Sequence, residues 1–165
     1  MKASAPTALA AAGADAIIWA CTSGSFVGGL DAARDQIGRL SDATGVPATS
    51  TSLAMAAAAQ SLGARQVDLL SAYPEPVTAL LLAFLREAGL EVVDARSLDC
   101  VHSRNSFAVN VTEELRAFVQ DKAGRGEPIL VPDTALTTLD QLAELESIAA
   151  RPVVTANAAS LWQGL

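Results

Sequence analysis

The sequence predicts an α/β protein built on parallel sheet with right-handed crossovers, and three observations carry that expectation. Short β-prone runs alternate with helical stretches over the whole length. Five glycines, Gly13, Gly45, Gly63, Gly89 and Gly124, stand just past helical stretches and just before the β-prone runs, where a left-handed residue ends a helix. The runs are mostly apolar throughout instead of alternating, as expected of strands covered on both faces.

Taken in order, a helix over Pro6–Ala12 stops at Gly13 and a strand follows at Ala16–Ala20 (AIIWA). A helix over Leu30–Thr44 stops at Gly45 and leads to a strand at Pro47–Thr49; one over Leu53–Leu62 stops at Gly63 and leads to Val67–Ser71 (VDLLS). The helix Glu75–Ala88 stops at Gly89 before Glu91–Asp94 (EVVD), and Thr112–Ala123 stops at Gly124 before Ile129–Val131 (ILV). Leu139–Ala149 then precedes a sixth strand, Pro152–Thr155 (PVVT), and Ala158–Leu165 forms the last helix. No linker, low-complexity tract or charge run marks a boundary along the chain.

Composition narrows the partners. With 165 residues, 51% hydrophobic and 18% charged, the chain can bury a sizeable core and does not read as disordered. Its net charge of −7 argues against nucleic acid. No apolar run reaches the roughly 18 residues of a membrane span, and Lys2, Pro6 and Asp15 interrupt the alanine-rich opening, so no signal peptide is expected and the cytoplasm is the expected compartment. Aromatic residues make up only 4% and alanine is abundant, which suits helices packed closely on a small sheet. Two cysteines without CxxC spacing give neither a disulfide framework nor a metal site.

In parallel sheets ligands bind beyond the carboxyl ends of the strands, so the residues just after each strand are the ones to read for chemistry. They are Cys21-Thr22-Ser23-Gly24-Ser25, Ser50-Thr51-Ser52, Ala72-Tyr73-Pro74 and Pro132-Asp133-Thr134-Ala135. One sheet edge is therefore expected to gather a thiol, several hydroxyls, a phenol and a carboxylate. Cys21 reads either as a thiolate nucleophile at a helix start or as a small packed residue. Tyr73 is either a phenol held at the mouth of a site or a partly buried aromatic with its hydroxyl in water. Asp133 either caps the following turn or serves as a general base. Cys100 reads as an incidental thiol and His102 as a surface residue. The run Gly24–Gly29 fits no nucleotide-binding pattern, and no GxSxG elbow is present.

The stretch Trp19-Ala20-Cys21-Thr22-Ser23-Gly24-Ser25-Phe26-Val27-Gly28-Gly29 resembles the first cysteine loop of maleate cis-trans isomerases, in the aspartate/glutamate racemase superfamily that also holds arylmalonate decarboxylase. Pro47–Ser52, Ala72–Glu75, Val131–Leu136 and Pro152–Asn157 fit in the same order, and the chain is also similar to ectoine-utilisation protein A. The resemblance implies a parallel-sheet α/β sandwich of two pseudo-symmetric lobes, with residues 1–50 and 150–165 in the first and 51–149 in the second. It implies a cleft between them, a small dicarboxylate or amino-acid-like substrate, no cofactor, no metal and a homo-oligomer. Family chemistry uses one cysteine from each lobe. Carried over, Cys21 is the first cysteine, Thr22 and Ser23 hold a substrate carboxylate, and Tyr73 contacts substrate. Thr134 and Ala135 also bind it, and Asn105 is the nearest candidate for a substrate-binding asparagine.

Two departures follow. Asp133 occupies the position of the second cysteine, and the stretch that the family carries ahead of the first cysteine, with its opening strand, is expected to be missing, leaving the N-terminal lobe incomplete. The expected activity is cofactor-independent isomerisation of the maleate isomerase or racemase type through a cysteine thiolate. Alternatives are a non-catalytic carboxylate-binding or ectoine-pathway accessory protein, or a truncated inactive homologue.

Overall fold

The computed structural model describes residues 5–120 and 125–165. Its elements are α1 (Ala5–Ala11), β1 (Ile17–Trp19), α2 (Thr22–Phe26), α3 (Gly29–Thr44), β2 (Ala48–Ser50), α4 (Thr51–Ser61), β3 (Gln66–Ser71), α5 (Glu75–Glu87), β4 (Glu91–Ser97), α6 (Ser103–Phe107), α7 (Val111–Val119), β5 (Ile129–Val131), α8 (Leu142–Ala149), β6 (Val153–Thr155) and α9 (Ala156–Gly164). The strands form a four-stranded sheet ordered β4-β3-β5-β6 and a two-stranded sheet β1-β2. Every pairing between them is parallel, as the sequence predicts.

The glycine punctuation marks real helix ends. Gly45, for example, takes φ 71° past α3 and its N–H reaches back to Ser41 O at 2.8 Å, a geometry a side chain would strain. Gly13, Gly63 and Gly89 also have positive φ. Gly124, together with the predicted end of its helix at Ala123, lies outside the described residues. After α8 the left-handed cap falls to Ala150, at φ 53°.

Alternate residues of the four-stranded sheet feed two cores. Val67, Leu69, Leu130 and Val154 pack with α4, α5 and Tyr73, while Leu70, Ile129, Val131 and Val153 pack with α7 and α8. Burying each such side chain is worth about 1.5–3 kcal/mol. The abundance of alanine has its use here: Ala54, Ala56 and Ala59 of α4 and Ala156 and Ala159 of α9 are all buried, letting those helices approach closely. Strand β4 departs from the expectation of cover on both faces. It runs three residues further than predicted, forms the sheet edge, and alternates in exposure, with Val93 in solvent.

Two short helices, α2 and α6, form where the sequence reads as loop. Thr-Ser-Gly-Ser has little helix propensity, and tertiary bonds hold α2 instead. Ser25 Oγ donates to Thr22 O at 2.9 Å and meets Ser52 Oγ at 2.6 Å. The next residue pair on α4 faces the other way, Thr51 Oγ1 lying 2.9 Å from Ser160 Oγ of α9. The Thr51 and Ser52 hydroxyls are thus buried between helices rather than lining a sheet edge, because α4 starts directly after β2, earlier than predicted. The Ser50 hydroxyl at the end of β2 is buried with no hydrogen-bond partner among the described residues.

At the opposite end of the sheet Asp68, fully buried in β3, accepts from Arg151 Nη2 at 2.7 Å and from Arg125 Nη1 at 3.1 Å. No helix among the described residues is long and apolar enough to cross a membrane.

Candidate active site

A cleft of about 540 Å³ opens where the loops after β1, β3 and β5 meet α6. Of the residues expected at the site, Cys21, Thr22, Ser23, Tyr73, Asp133, Thr134 and Ala135 all line it. A larger cavity of about 730 Å³ lies at the other end of the strands, around Arg65, Glu127 and Pro152, and holds none of them. Size therefore ranks below chemistry: the thiols, the phenol and Asp133 converge on the smaller space.

Cys21 is exposed, so it is not a packed core residue. Its backbone is extended, at φ −137°, where the chain leaves β1 and turns into α2. Gly24 makes room for the thiol: a Cβ there would sit 2.9 Å from Cys21 Sγ. Thr22 is buried and its Oγ1 has no hydrogen-bond acceptor or donor of good geometry, leaving a polar atom to be satisfied at the cleft.

Tyr73 is held by the extended Ala72–Pro74 segment and by an edge-on contact with Phe26, ring centroids 5.5 Å apart. Burial pushes its phenol well above the ordinary value, and the Asp133 carboxylate and Cys21 add to this, while the Thr22 hydroxyl and Ser23 backbone oppose it. The phenol remains a proton donor. Its ring is buried, and the residue lines the cleft.

Asp133 is fixed from two sides. Ala135 N–H donates to Oδ1 at 3.0 Å, which realises the turn-capping reading, and Ser106 Oγ donates to Oδ2 at 2.6 Å. Its φ of 97° lies in a region that few residues other than glycine adopt, consistent with a backbone held by its surroundings. The loop is braced from outside the cleft: Asn157 Nδ2 donates to Leu136 O at 2.9 Å, and Thr134 Oγ1 donates to Ala20 O at 3.5 Å, linking it to the cysteine loop.

Asn105 is not brought to the cleft. Its Oδ1 accepts from His102 N–H at 3.1 Å at the start of α6, and this turn of helix presents Ser106 instead. Lining residues that were not expected at the site include Cys100, His102 and Ser106. Cys100 and His102 both line the cleft, although one reads as incidental and the other as surface. Burial pushes the Cys100 thiol up, against the opposing effect of the Ser106 hydroxyl, with Asp133 adding to the rise. Ser106 itself carries no sequence signal, since its role depends on α6 reaching a loop 27 residues away. Among the described residues no group of three or more His, Cys, Asp and Glu could hold a metal ion.

Comparison with known proteins bears out the fold. The chain is 34% identical over 128 residues to an arylmalonate decarboxylase of Bordetella bronchiseptica, covering 75% of this chain and 52% of that protein. It is 27% identical over 155 residues to a maleate isomerase of Pseudomonas putida, covering 90% and 62%. It thus spans between about half and three-fifths of the length of these relatives. Among solved structures it matches a glycine-to-cysteine, cysteine-to-serine double variant of arylmalonate decarboxylase in liganded form. The TM-score is 0.88 with 30% identity over 96% of this chain and 68% of that one. A maleate isomerase variant from Pseudomonas putida S16 with maleate shares the fold, at TM-score 0.87 and 22% identity over 96% and 66%. The arylmalonate decarboxylase family model matches residues 2–165, and the chain belongs to that family.

Proposed function

We propose that this protein is a cofactor-independent isomerase of the maleate isomerase or racemase type, acting on a small dicarboxylate or amino-acid-like substrate through the Cys21 thiolate. The observation that carries the reading is the meeting of Cys21 and Asp133 on one cleft, with the Thr22, Ser23 and Tyr73 donors beside them. In the isomerase form of the chemistry the Cys21 sulfur adds to one carbon of a carbon–carbon double bond. The electron pair moves into the neighbouring carboxylate, the former double bond rotates, and elimination returns the thiolate. Thr22, Ser23 and the protonated Tyr73 phenol stabilise the charge that builds on that carboxylate. In the racemase form Cys21 takes or gives a proton on one face of a carbon and Asp133 serves the other. Turnover of maleate, aspartate or an arylmalonate by the wild type and its loss in Cys21→Ala is the expected result; activity that survives the substitution overturns the mechanism.

A second reading, a non-catalytic carboxylate-binding or ectoine-pathway accessory protein or an inactive homologue, is favoured by Asp133 standing where the resemblance expects a second cysteine. Ligand-induced thermal stabilisation by dicarboxylates without turnover of any would support it.

The same proposal includes a cytoplasmic, homo-oligomeric protein whose lobes divide as 1–50 with 150–165 against 51–149. Supporting it, α9 packs on β1 and β2, although β6 pairs with β5. Among the described residues β1 pairs only with β2, and Trp19 and Trp162 are half exposed, so this flank offers surface to a second copy.

A further inference from the structure

We propose that Asp133, clamped by Ser106 and the Ala135 N–H, makes the cleft selective for a small carboxylate that also bears an ammonium group, and against a dianion of the same length. The proposal rests on the carboxylate-site reading given above and narrows its substrate class.

Among the described residues the ionisable side chains on the cleft are Cys21, Tyr73, Cys100, His102 and Asp133, and none of those lining it is a lysine or arginine. Burial keeps Tyr73 and Cys100 protonated and neutral near pH 7. Asp133, joined by Cys21 when it is the thiolate of the proposed reaction, then brings negative charge to the cleft, with exposed His102 the one lining side chain able to offset it.

The hydrogen bonds decide which polarity Asp133 presents. An N–H can only donate, so Oδ1 is an acceptor toward Ala135; Oδ2 is engaged by Ser106, whose side chain is buried. The carboxyl group therefore has no spare proton to aim into the cleft and offers lone pairs. A ligand carboxylate beside it would meet like charge without a bridging proton, whereas an ammonium would make a charge-assisted bond. The same cleft also carries groups of the opposite polarity. Thr22 Oγ1 is an unsatisfied buried hydroxyl, and the Tyr73 phenol keeps its proton, so donors suited to a carboxylate share the cleft with an acceptor suited to a cation. The thiol of Cys21 belongs to the residue next to Thr22, at the N-cap of α2.

The test is calorimetric titration of wild type, Asp133→Asn and Ser106→Ala with three probes: 4-aminobutyrate, succinate and butyrate. Asparagine tolerates positive φ, so Asp133→Asn is compatible with the local backbone. Wild type is expected to bind 4-aminobutyrate roughly tenfold or more tightly than succinate. Asp133→Asn should bring the two within about threefold by weakening the first and strengthening the second, and Ser106→Ala should narrow the gap by freeing the carboxyl group to rotate. Equal or tighter binding of succinate by wild type overturns the proposal while leaving the carboxylate-site reading intact. A preference unchanged in Asp133→Asn, or in Ser106→Ala should the first variant not fold, also overturns it. Failure of all three probes to bind wild type overturns both.

Discussion

Ser106 and Asp133, on α6 and on the loop after β5, are joined by an O–H···O bond of 2.6 Å on a side chain that is almost fully buried. The bond fastens a five-residue helix to the one carboxylate of the cleft. A bond of this kind, to a charged acceptor, contributes about 1.5–3 kcal/mol. Ser106→Ala is therefore expected to lower unfolding free energy by roughly that amount, measured by urea denaturation, with α6 showing faster amide exchange. An unchanged midpoint would mean that water satisfies the Asp133 carboxylate as well as the hydroxyl does.

Gly24→Ala separates stability from site geometry. Alanine is the better helix former by about 1 kcal/mol, so the melting temperature should hold or rise. The added Cβ would lie 2.9 Å from Cys21 Sγ and must push the thiol aside. A displacement of this size costs on the order of 10²-fold in turnover, to be read as kcat/KM against the wild type.

Arg151→Ala should be among the most damaging substitutions in the molecule. It leaves Asp68, fully buried, with only Arg125, whose side chain is 37% exposed. Removing one partner of a buried pair costs roughly 3–5 kcal/mol, whereas Arg125→Ala should cost about 1 kcal/mol or less. Chemical denaturation of both variants checks the order, and the reverse ranking would show that Arg125 holds the buried charge.

Alkaline pH should destabilise the fold through Cys100 and Tyr73. Both have folded pKa values raised above their ordinary values, so the folded state keeps protons that the unfolded chain releases. Their contribution is complete below the ordinary thiol value of about 8.5 and declines as pH rises above it, first for Cys100 and then, above about 10, for Tyr73. Unfolding midpoints measured from pH 7 to 10 should fall less steeply for Cys100→Ala than for wild type.

Much of the fold is legible because its signals are local. The glycine after α3 or α5 and the apolar run that follows it are neighbours in sequence, and so are the strand ends and the loops carrying Cys21, Tyr73 and Asp133. What escapes is whatever depends on distant residues. The helix α2 forms from Thr-Ser-Gly-Ser because Ser52 reaches it, Ser106 matters because α6 meets the Asp133 loop, and Asp68 finds Arg151 83 residues away. Asn105 shows the reverse error, a residue type right for binding whose side chain is spent on the backbone of His102.

The first turn of α4 carries a consequence for how the protein can be handled. Ser52 holds the cysteine-bearing helix and its neighbour Thr51 holds the C-terminal helix, the latter contact spanning 109 residues. Helix α9 is thus two hydroxyl contacts from the loop that bears Cys21. A tag fused after Leu165 that strains α9, or a deletion that trims it, would register at Cys21 as altered alkylation kinetics before any global unfolding. Helix α9 serves as a remote handle on the thiol.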